Sequence, residues 1–360
     1  MRIGIVTQPL TTNYGGILQN YALQQVLKKL GHEVWTFDIL KYTWWNWLKE
    51  TCKIIVYRIL GRKSPFLPSP IEFAKKQKSL RQFVNKKISL TKPRTYWFDR
   101  EIIKKYRLNG IVVGSDQVWR PIYNAHIEDM FLSFARDMNL VRIAYAASFG
   151  VDKWEFTSRQ QLTCAELAKL FNAISVREDS GIDLCDRYLG VNATHVLDPT
   201  LLLIAEDYIT LCTNMEKQKP FIFAYILDES EAKLSEIKRF AELKKLPYLK
   251  ISAGPNVKEG DSVERWLSYF RDAAYVITDS FHGVAFSINF GKDFFVFDNQ
   301  ERGNSRIDSL LGKLDLKSRV VVDSISMLGP IDWEYVNHIL KIERVHSKMW
   351  LKNALTIKII

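Results

Sequence analysis

Five short apolar runs in this chain each stop at a polar or glycine-containing loop. They are Arg2 to Val6, Gly110 to Gly114, Ala173 to Val176, Thr194 to Leu197 and Tyr275 to Thr278. The first is the most complete unit. After Val6 comes the loop Thr11-Thr12-Asn13-Tyr14-Gly15-Gly16. Ile17, Leu18, Tyr21, Ala22, Gln25, Val26 and Leu30 then recur with helical spacing, and Gly31 sits where a helix end favours glycine. Glu33 to Asp38 reads as a second strand. Strand, loop, helix, strand is a βαβ opening, and a parallel sheet is its expected consequence.

The alternation starts again past residue 200. Phe221 to Leu227 reads as a strand, Glu231 to Lys244 as a helix and Tyr248 to Ile251 as a strand. A helix near 262–271, the run ending at Thr278, a helix to about Phe290 and a strand at Asp293 to Phe297 follow. The stretch from Trp333 has a helical pattern. A chain of 360 residues exceeds the roughly 250–300 that one core supports. The expectation is therefore two Rossmann-like α/β domains, residues 1–199 and 200–360, the second carrying the C-terminal helix.

Positive charge is concentrated in one place. The net charge is +11, yet residues 41–95 hold fourteen Lys/Arg and two Asp/Glu, leaving 37 basic and 38 acidic residues elsewhere. The first domain thus carries a basic insert, 41–95, that begins with Trp44-Trp45-Asn46-Trp47. Read as a helix from Trp44 to Leu60, it places Trp44, Trp47, Leu48, Ile55 and Ile59 on one face and Lys49 and Lys53 opposite. Such a helix suits a membrane surface, with anionic lipid adding about 1 kcal/mol per basic residue. It equally suits a helix packed on its own domain with a solvated basic face. No nucleic-acid recognition motif accompanies the charge, so no nucleic-acid partner is expected.

Charged residues make up 25% and hydrophobic ones 47%, the balance of a globular protein rather than a disordered one. No stretch approaches the roughly 20 apolar residues of a membrane span. Ile3 to Val6 falls short of the about 7–15 apolar residues of a secretory signal, so none is expected. Cys52, Cys164, Cys185 and Cys212 form no C-x-x-C pair. They read as separate thiols in a reducing cytoplasm, with no metal site among them.

In open α/β sheets ligands bind beyond the carboxyl ends of the strands, where these loops lie. Asn13-Tyr14-Gly15-Gly16 before a helix can present N–H groups to an anion, or form a tight turn. Asp116, in Gly114-Ser115-Asp116-Gln117-Val118-Trp119-Arg120, suits proton transfer; it or Ser115 also suits a helix cap. Arg177, beside Glu178, suits bidentate binding of an anion or a structural ion pair. His282, in Asp279-Ser280-Phe281-His282-Gly283, titrates near neutrality and is a candidate for catalysis or for the core. Arg302 and Arg306 add cations near the same loops.

Together these stretches resemble the polysaccharide pyruvyl transferase family over about residues 1–320. The motifs are Thr12 to Gly16 with Gln19-Asn20, Gly114 to Trp119, Ile174 to Glu178, Leu197 to Thr200 and Thr278 to Gly283. The resemblance implies a GT-B-like fold with two domains facing a cleft. It implies phosphoenolpyruvate as donor, its pyruvyl group becoming a ketal on two hydroxyls of a saccharide acceptor. Arg177 and His282 match the family's donor-binding positions. Some members carry a basic residue two places before the histidine; here Ser280 occupies it, and Arg306 is the candidate for that cation.

A small trianion needs several cations and helix N-termini. Protonating its methylene carbon creates a centre that a hydroxyl attacks, so the site also needs proton transfer. The expected assignment gives proton transfer to Asp116, the departing phosphate to His282 and a clamp to Asn13, Gly15, Gly16, Arg177, Ser280 and Arg306. No cofactor or metal is expected. The resemblance further implies an acceptor in a bacterial surface polysaccharide or its lipid-linked precursor, so the protein is expected in the cytoplasm, with peripheral contact at the inner membrane face through 44–60. A GT-B glycosyltransferase using a nucleotide sugar is the nearest alternative. A non-catalytic membrane or nucleic-acid binding module is the third.

Overall fold

Both series of strands pair in parallel, and both adopt the same order. The computed structural model describes residues 1–40, 44–59, 69–252, 261–299, 303–325 and 328–356. In the first sheet, β1 (Arg2–Val6), β2 (Glu33–Thr36), β3 (Gly110–Val113), β4 (Val141–Ala147), β5 (Ala173–Val176) and β6 (Thr194–His195) lie in the order β2-β1-β3-β4-β5-β6. In the second, β7 (Ile222–Ile226), β8 (Tyr248–Ser252), β9 (Tyr275–Thr278), β10 (Asp293–Phe297) and β11 (Val320–Val321) lie in the order β11-β10-β9-β7-β8. Each sheet therefore reverses direction beside its first strand, between β1 and β3 and between β7 and β9. Those reversals open the crevices in which doubly wound sheets hold ligands.

The helix Tyr14–Lys29 makes the β1-to-β2 crossover and ends before Gly31, whose φ is +86°. Its buried face, including Ile17, Leu18, Leu23 and Leu27, joins a core that also takes Phe223, Trp266 and Phe286 from beyond residue 200. The last helix, Trp333–Thr356, returns across both halves. Ser347 Oγ accepts from the Leu197 N–H at 2.9 Å, and the Trp350 ring lies 6.1 Å from Tyr145 on β4. Two parallel α/β sheets facing a cleft, tied by a returning helix, form a GT-B-like fold.

The basic insert divides into two parts. The helix Lys78–Lys87 buries Leu80, Phe83 and Val84, and the Phe83 ring packs edge-on to Tyr21 at 5.8 Å. Arg81 and Arg94 both pair with the buried carboxylate of Asp38, at 2.9 Å and 3.2 Å. Some of the insert's charge is thus internal ballast for the first domain. The helix Trp44–Ile59 forms as the spacing predicts, but Leu48, Ile55 and Val56 are about half exposed while Ile54 is buried. The expected apolar face is not covered at Leu48 and Ile55. Leu60 and the side chains of Trp44 and Ile59 lie outside the described residues.

Candidate functional site

Loops at the carboxyl ends of both sheets meet across the cleft. One close approach is between the first turn of the Tyr14–Lys29 helix and the helix Phe281–Asn289. A Cβ placed on Gly15 would lie 2.0 Å from His282 Nδ1. Glycine is therefore required at 15 because an imidazole from the other domain occupies its side-chain space. The glycine pair forms the first helical turn itself rather than a turn before it. Asn13 is the N-cap residue but makes no side-chain cap. Its amide nitrogen instead lies 3.4 Å from Asp116 Oδ2. The first turn's N–H groups have no intrahelical partner, as in any helix, and they face this cleft.

Arg177, at the end of β5, is almost fully buried. Its Nη1 donates to Asp198 Oδ2 at 2.8 Å, and its Nη2 lies 3.4 Å from Asp116 Oδ1. Burial opposes the guanidinium charge, but Asp198 and Asp116 outweigh it and raise its pKa. Asp198 uses its other oxygen to cap the short helix Pro199–Leu202, accepting from Thr200 N at 2.9 Å and Oγ1 at 2.7 Å. Burial pushes the Asp198 carboxyl up, yet Arg177, His282 and Thr200 together hold it below its usual range. Asp116 sits in the left-handed region at φ +71° and accepts from the Gln117 N–H at 2.9 Å. Neither Ser115 nor Asp116 caps a helix: Ser115 Oγ lies 3.0 Å from Asp198 Oδ2 and 2.8 Å from the Ala146 carbonyl.

His282 is 5% exposed, and its Nε2 is 3.9 Å from Asp198 Oδ2. That nitrogen has no hydrogen-bond partner among the described residues. Burial drives the imidazole pKa down; Asp198 and Asp116 oppose this, while Arg177 and Arg306 add to it. Arg306, on the helix Ser305–Lys313, is also buried. Burial and then the neighbouring Arg177 lower its pKa to about 10, against the pull of Asp116 and Glu178. The ring of Phe281 lies against both arginines, 4.4 Å from the Arg177 guanidinium carbon and 5.9 Å from that of Arg306. Asn13, Gly15, Gly16, Asp116, Arg177, His282 and Arg306 are thus brought to one cleft, with Ser280 at the N-cap of the His282 helix.

Other residues of the same motifs point elsewhere. Trp119 is fully buried and stacks on Phe131 at 4.7 Å. Arg120 makes two bonds to Glu155, at 3.0 Å and 3.1 Å. Asp279 turns into its own sheet, accepting from Leu227 N–H, Asp228 N–H and Lys233 Nζ. Arg302 lies outside the described residues. Three residues of the cleft carry no role in the sequence reading. Asp198 precedes a proline and reads as a turn; its second oxygen is what enters the site. Phe281 is only a member of the His282 loop in the sequence reading. Glu178 reads as the pair of Arg177, but its Oε1 instead holds the next loop, accepting from Ser148 Oγ, Phe149 N–H and Gly150 N–H.

Fold and cleft define a two-domain α/β protein whose facing sheets bring arginines, a histidine and a helix N-terminus to one buried place. A family model described as polysaccharide pyruvyl transferase matches residues 13–301, and the chain belongs to that family; it is an enzyme, a transferase. Arg306 falls just beyond the matched span. No curated protein matches the chain. Among solved structures, UDP-GlcNAc 2-epimerase from Methanocaldococcus jannaschii is similar with a TM-score of 0.49 and 11% identity, over 96% of this chain and 93% of that one. The Neisseria meningitidis UDP-GlcNAc 2-epimerase bound to UDP-GlcNAc gives 0.49 and 9%, over 100% and 95%. Spinosyn rhamnosyltransferase SpnG gives 0.39 and 12%, over 99% and 96%.

Proposed function

We propose that this transferase moves the pyruvyl group of phosphoenolpyruvate onto two hydroxyls of a saccharide, closing a pyruvate ketal in the assembly of a bacterial surface polysaccharide or its lipid-linked precursor. The observation that carries this reading is the convergence of Arg177, Arg306 and His282 on the open first turn of the Tyr14–Lys29 helix. Buried cations around a helix N-terminus suit a compact, highly charged anion.

The chemistry balances with two proton transfers. Asp116 delivers a proton to the methylene carbon, which becomes a methyl group and leaves the central carbon cationic. The first hydroxyl then bonds to that carbon, and its proton returns to Asp116. The carbon–oxygen bond to phosphate then breaks. The second hydroxyl attacks the same carbon and closes the ring, and its proton passes through His282 to the departing phosphate. Arg177, Arg306 and the N–H groups of the Gly15–Gly16 turn hold the phosphate and carboxylate throughout, with Asn13 and Ser280 at the rim. Preorganised donors of this kind each contribute roughly 3–4 kcal/mol to the barrier when removed.

A thermal-shift titration with phosphoenolpyruvate beside a panel of nucleotide sugars tests the donor. At 100 times its dissociation constant the donor stabilises by about 2.7 kcal/mol. A shift with phosphoenolpyruvate, much reduced in Arg306→Ala, is expected; a shift only with a nucleotide sugar makes the protein a glycosyltransferase instead.

The exposed Leu48, Ile55 and Val56, on a helix that also exposes Lys49 and Lys53, favour peripheral contact with an anionic membrane. Among the described residues no helix is long and apolar enough to cross one. Deleting 44–60 should abolish sedimentation with phosphatidylglycerol vesicles and leave turnover of a water-soluble acceptor. Unchanged sedimentation rejects the contact.

A further inference from the structure

Beyond the cleft, the first domain carries a groove whose construction differs from that of the anion site. A cavity of about 420 Å³ runs between Asp152–Trp154 and the segment from Ser180 to Tyr188. Beneath it stands a column of three stacked rings. Phe156 lies against Trp154 at 4.2 Å and 12°, and Trp154 against Tyr188 at 4.5 Å and 7°. Trp154 is fixed further by its Nε1, which donates to Gln161 Oε1 at 3.0 Å. Tyr188 ends the column and is 36% exposed.

The rim carries Asp152, Lys153, Asp183 and Arg187, all exposed. Among the described residues none of these four side chains has a hydrogen bond or ion pair. Two carboxylates balance two cations, so the groove has no net positive charge to attract a polyanion, unlike the cleft. Carboxylates accept from hydroxyls, and Arg and Lys donate to them. A rigid ring offers its face to C–H groups. Concave sites with an aromatic floor and a few placed polar groups are the usual form of small-molecule sites.

The groove also lies close to the cleft along the chain. Ser180 is three residues from Arg177, no more than about 11 Å along the chain. The Asp179 N–H donates to Ser309 Oγ at 3.1 Å, on the helix that carries Arg306. Asp152 follows two residues after Gly150, whose N–H is held by Glu178 at 3.1 Å. From the column of rings, the balanced rim and this proximity we infer that the groove is a subsite for a neutral sugar unit adjoining the one that reacts, so that the enzyme takes an oligosaccharide or glycoside rather than a free monosaccharide. The inference rests on the saccharide acceptor of the proposed function, and not on the identity of the donor.

Saturation-transfer NMR with neutral saccharides of glucose, galactose and mannose, one to four units long, tests it on the full chain. At least one member of two or more units should bind more tightly than its monosaccharide. Tyr188→Ala should weaken that member by about tenfold. Tyr188→Phe should retain it, and Asp183→Asn should weaken it with the fold unchanged by near-ultraviolet circular dichroism. The thermal shift with phosphoenolpyruvate should be the same in all three variants. The inference is overturned if no longer saccharide gains over its monosaccharide, or if Tyr188→Ala binds like the parent. Tyr188-dependent binding without any response to phosphoenolpyruvate would keep the subsite and reject the donor.

Discussion

The two walls of the cleft present cations in opposite electrostatic states. On the first wall Arg177 is locked between Asp198 and Asp116, and its charge is favoured. On the second, burial and the neighbouring Arg177 disfavour the charge on Arg306, and burial keeps His282 towards its neutral form. Both arginines lie against the same phenyl ring, so the contrast does not come from their packing. It comes from the carboxylates, which stand nearer the first wall. That wall is a scaffold, complete before any ligand arrives. The second wall gains most from an incoming anion, because the anion offsets the burial that disfavours its charges.

The largest expected effect breaks the scaffold. Arg177→Ala leaves Asp198 and Asp116 buried without their guanidinium, and removing one partner of such a group costs about 3–5 kcal/mol of stability. Urea unfolding should show it as a lower midpoint, with donor turnover lost as well. An unchanged midpoint would mean that Arg177 serves the ligand alone.

His282 comes next, on the opposite wall. His282→Gln should lower turnover by roughly a hundredfold, the low end for a lost proton-transfer group. The same residue gives a pH signature. Its depressed pKa leaves it neutral in the empty cleft near pH 7, and a bound trianion favours the imidazolium. Donor binding should therefore take up a proton, seen by calorimetry in buffers of different ionisation enthalpy, and His282→Gln should remove that uptake. In the empty protein the sign is the reverse. The unfolded chain protonates this histidine first as pH falls below about 6.5, so its neutral burial costs stability on the acid side.

Arg306→Ala sharpens the contrast with Arg177. It should raise KM for the donor by roughly thirtyfold, the equivalent of about 2 kcal/mol from a charged hydrogen bond. Because burial disfavours this cation, the unfolding midpoint should stay level or rise. A midpoint falling as far as in Arg177→Ala would make the two walls equivalent and end the comparison.

The sequence made the positions of the loops legible, because every loop of the cleft follows a short apolar run and parallel sheets align those ends. It also made Gly15, Asp116, Arg177 and His282 legible, as chemistry-bearing side chains in such loops. It hid residues that serve two purposes. Asp198 caps a helix with one oxygen and pairs with Arg177 through the other, and only the first use leaves a local mark. Trp119 and Arg120 show the opposite failure: they share a motif with Asp116, yet the turn sends them to the core and to Glu155. The insert hid its division for a third reason. Asp38, which neutralises Arg81 and Arg94, is more than forty positions from either, and no local pattern links them.

Phe281 is the remaining test, because it belongs to neither charge state and touches both. An aromatic face attracts a cation by about 1 kcal/mol in a partly desolvated setting. With the guanidinium groups of both Arg177 and Arg306 over it, the ring helps set the spacing of two like charges that would otherwise separate. Phe281→Leu keeps an apolar side chain at a buried helix start but removes that face. Arg177 retains its carboxylates, so the first wall should hold its geometry; Arg306, held less firmly by charge, should lose its place. The expected result is a rise of about fivefold in donor KM with kcat little changed. Phe281→Tyr, which preserves the ring, should restore most of it. If Tyr fails to rescue, or if kcat falls with KM unchanged, the ring acts through core packing rather than through the arginines. The asymmetry of the cleft would then rest on the carboxylates alone.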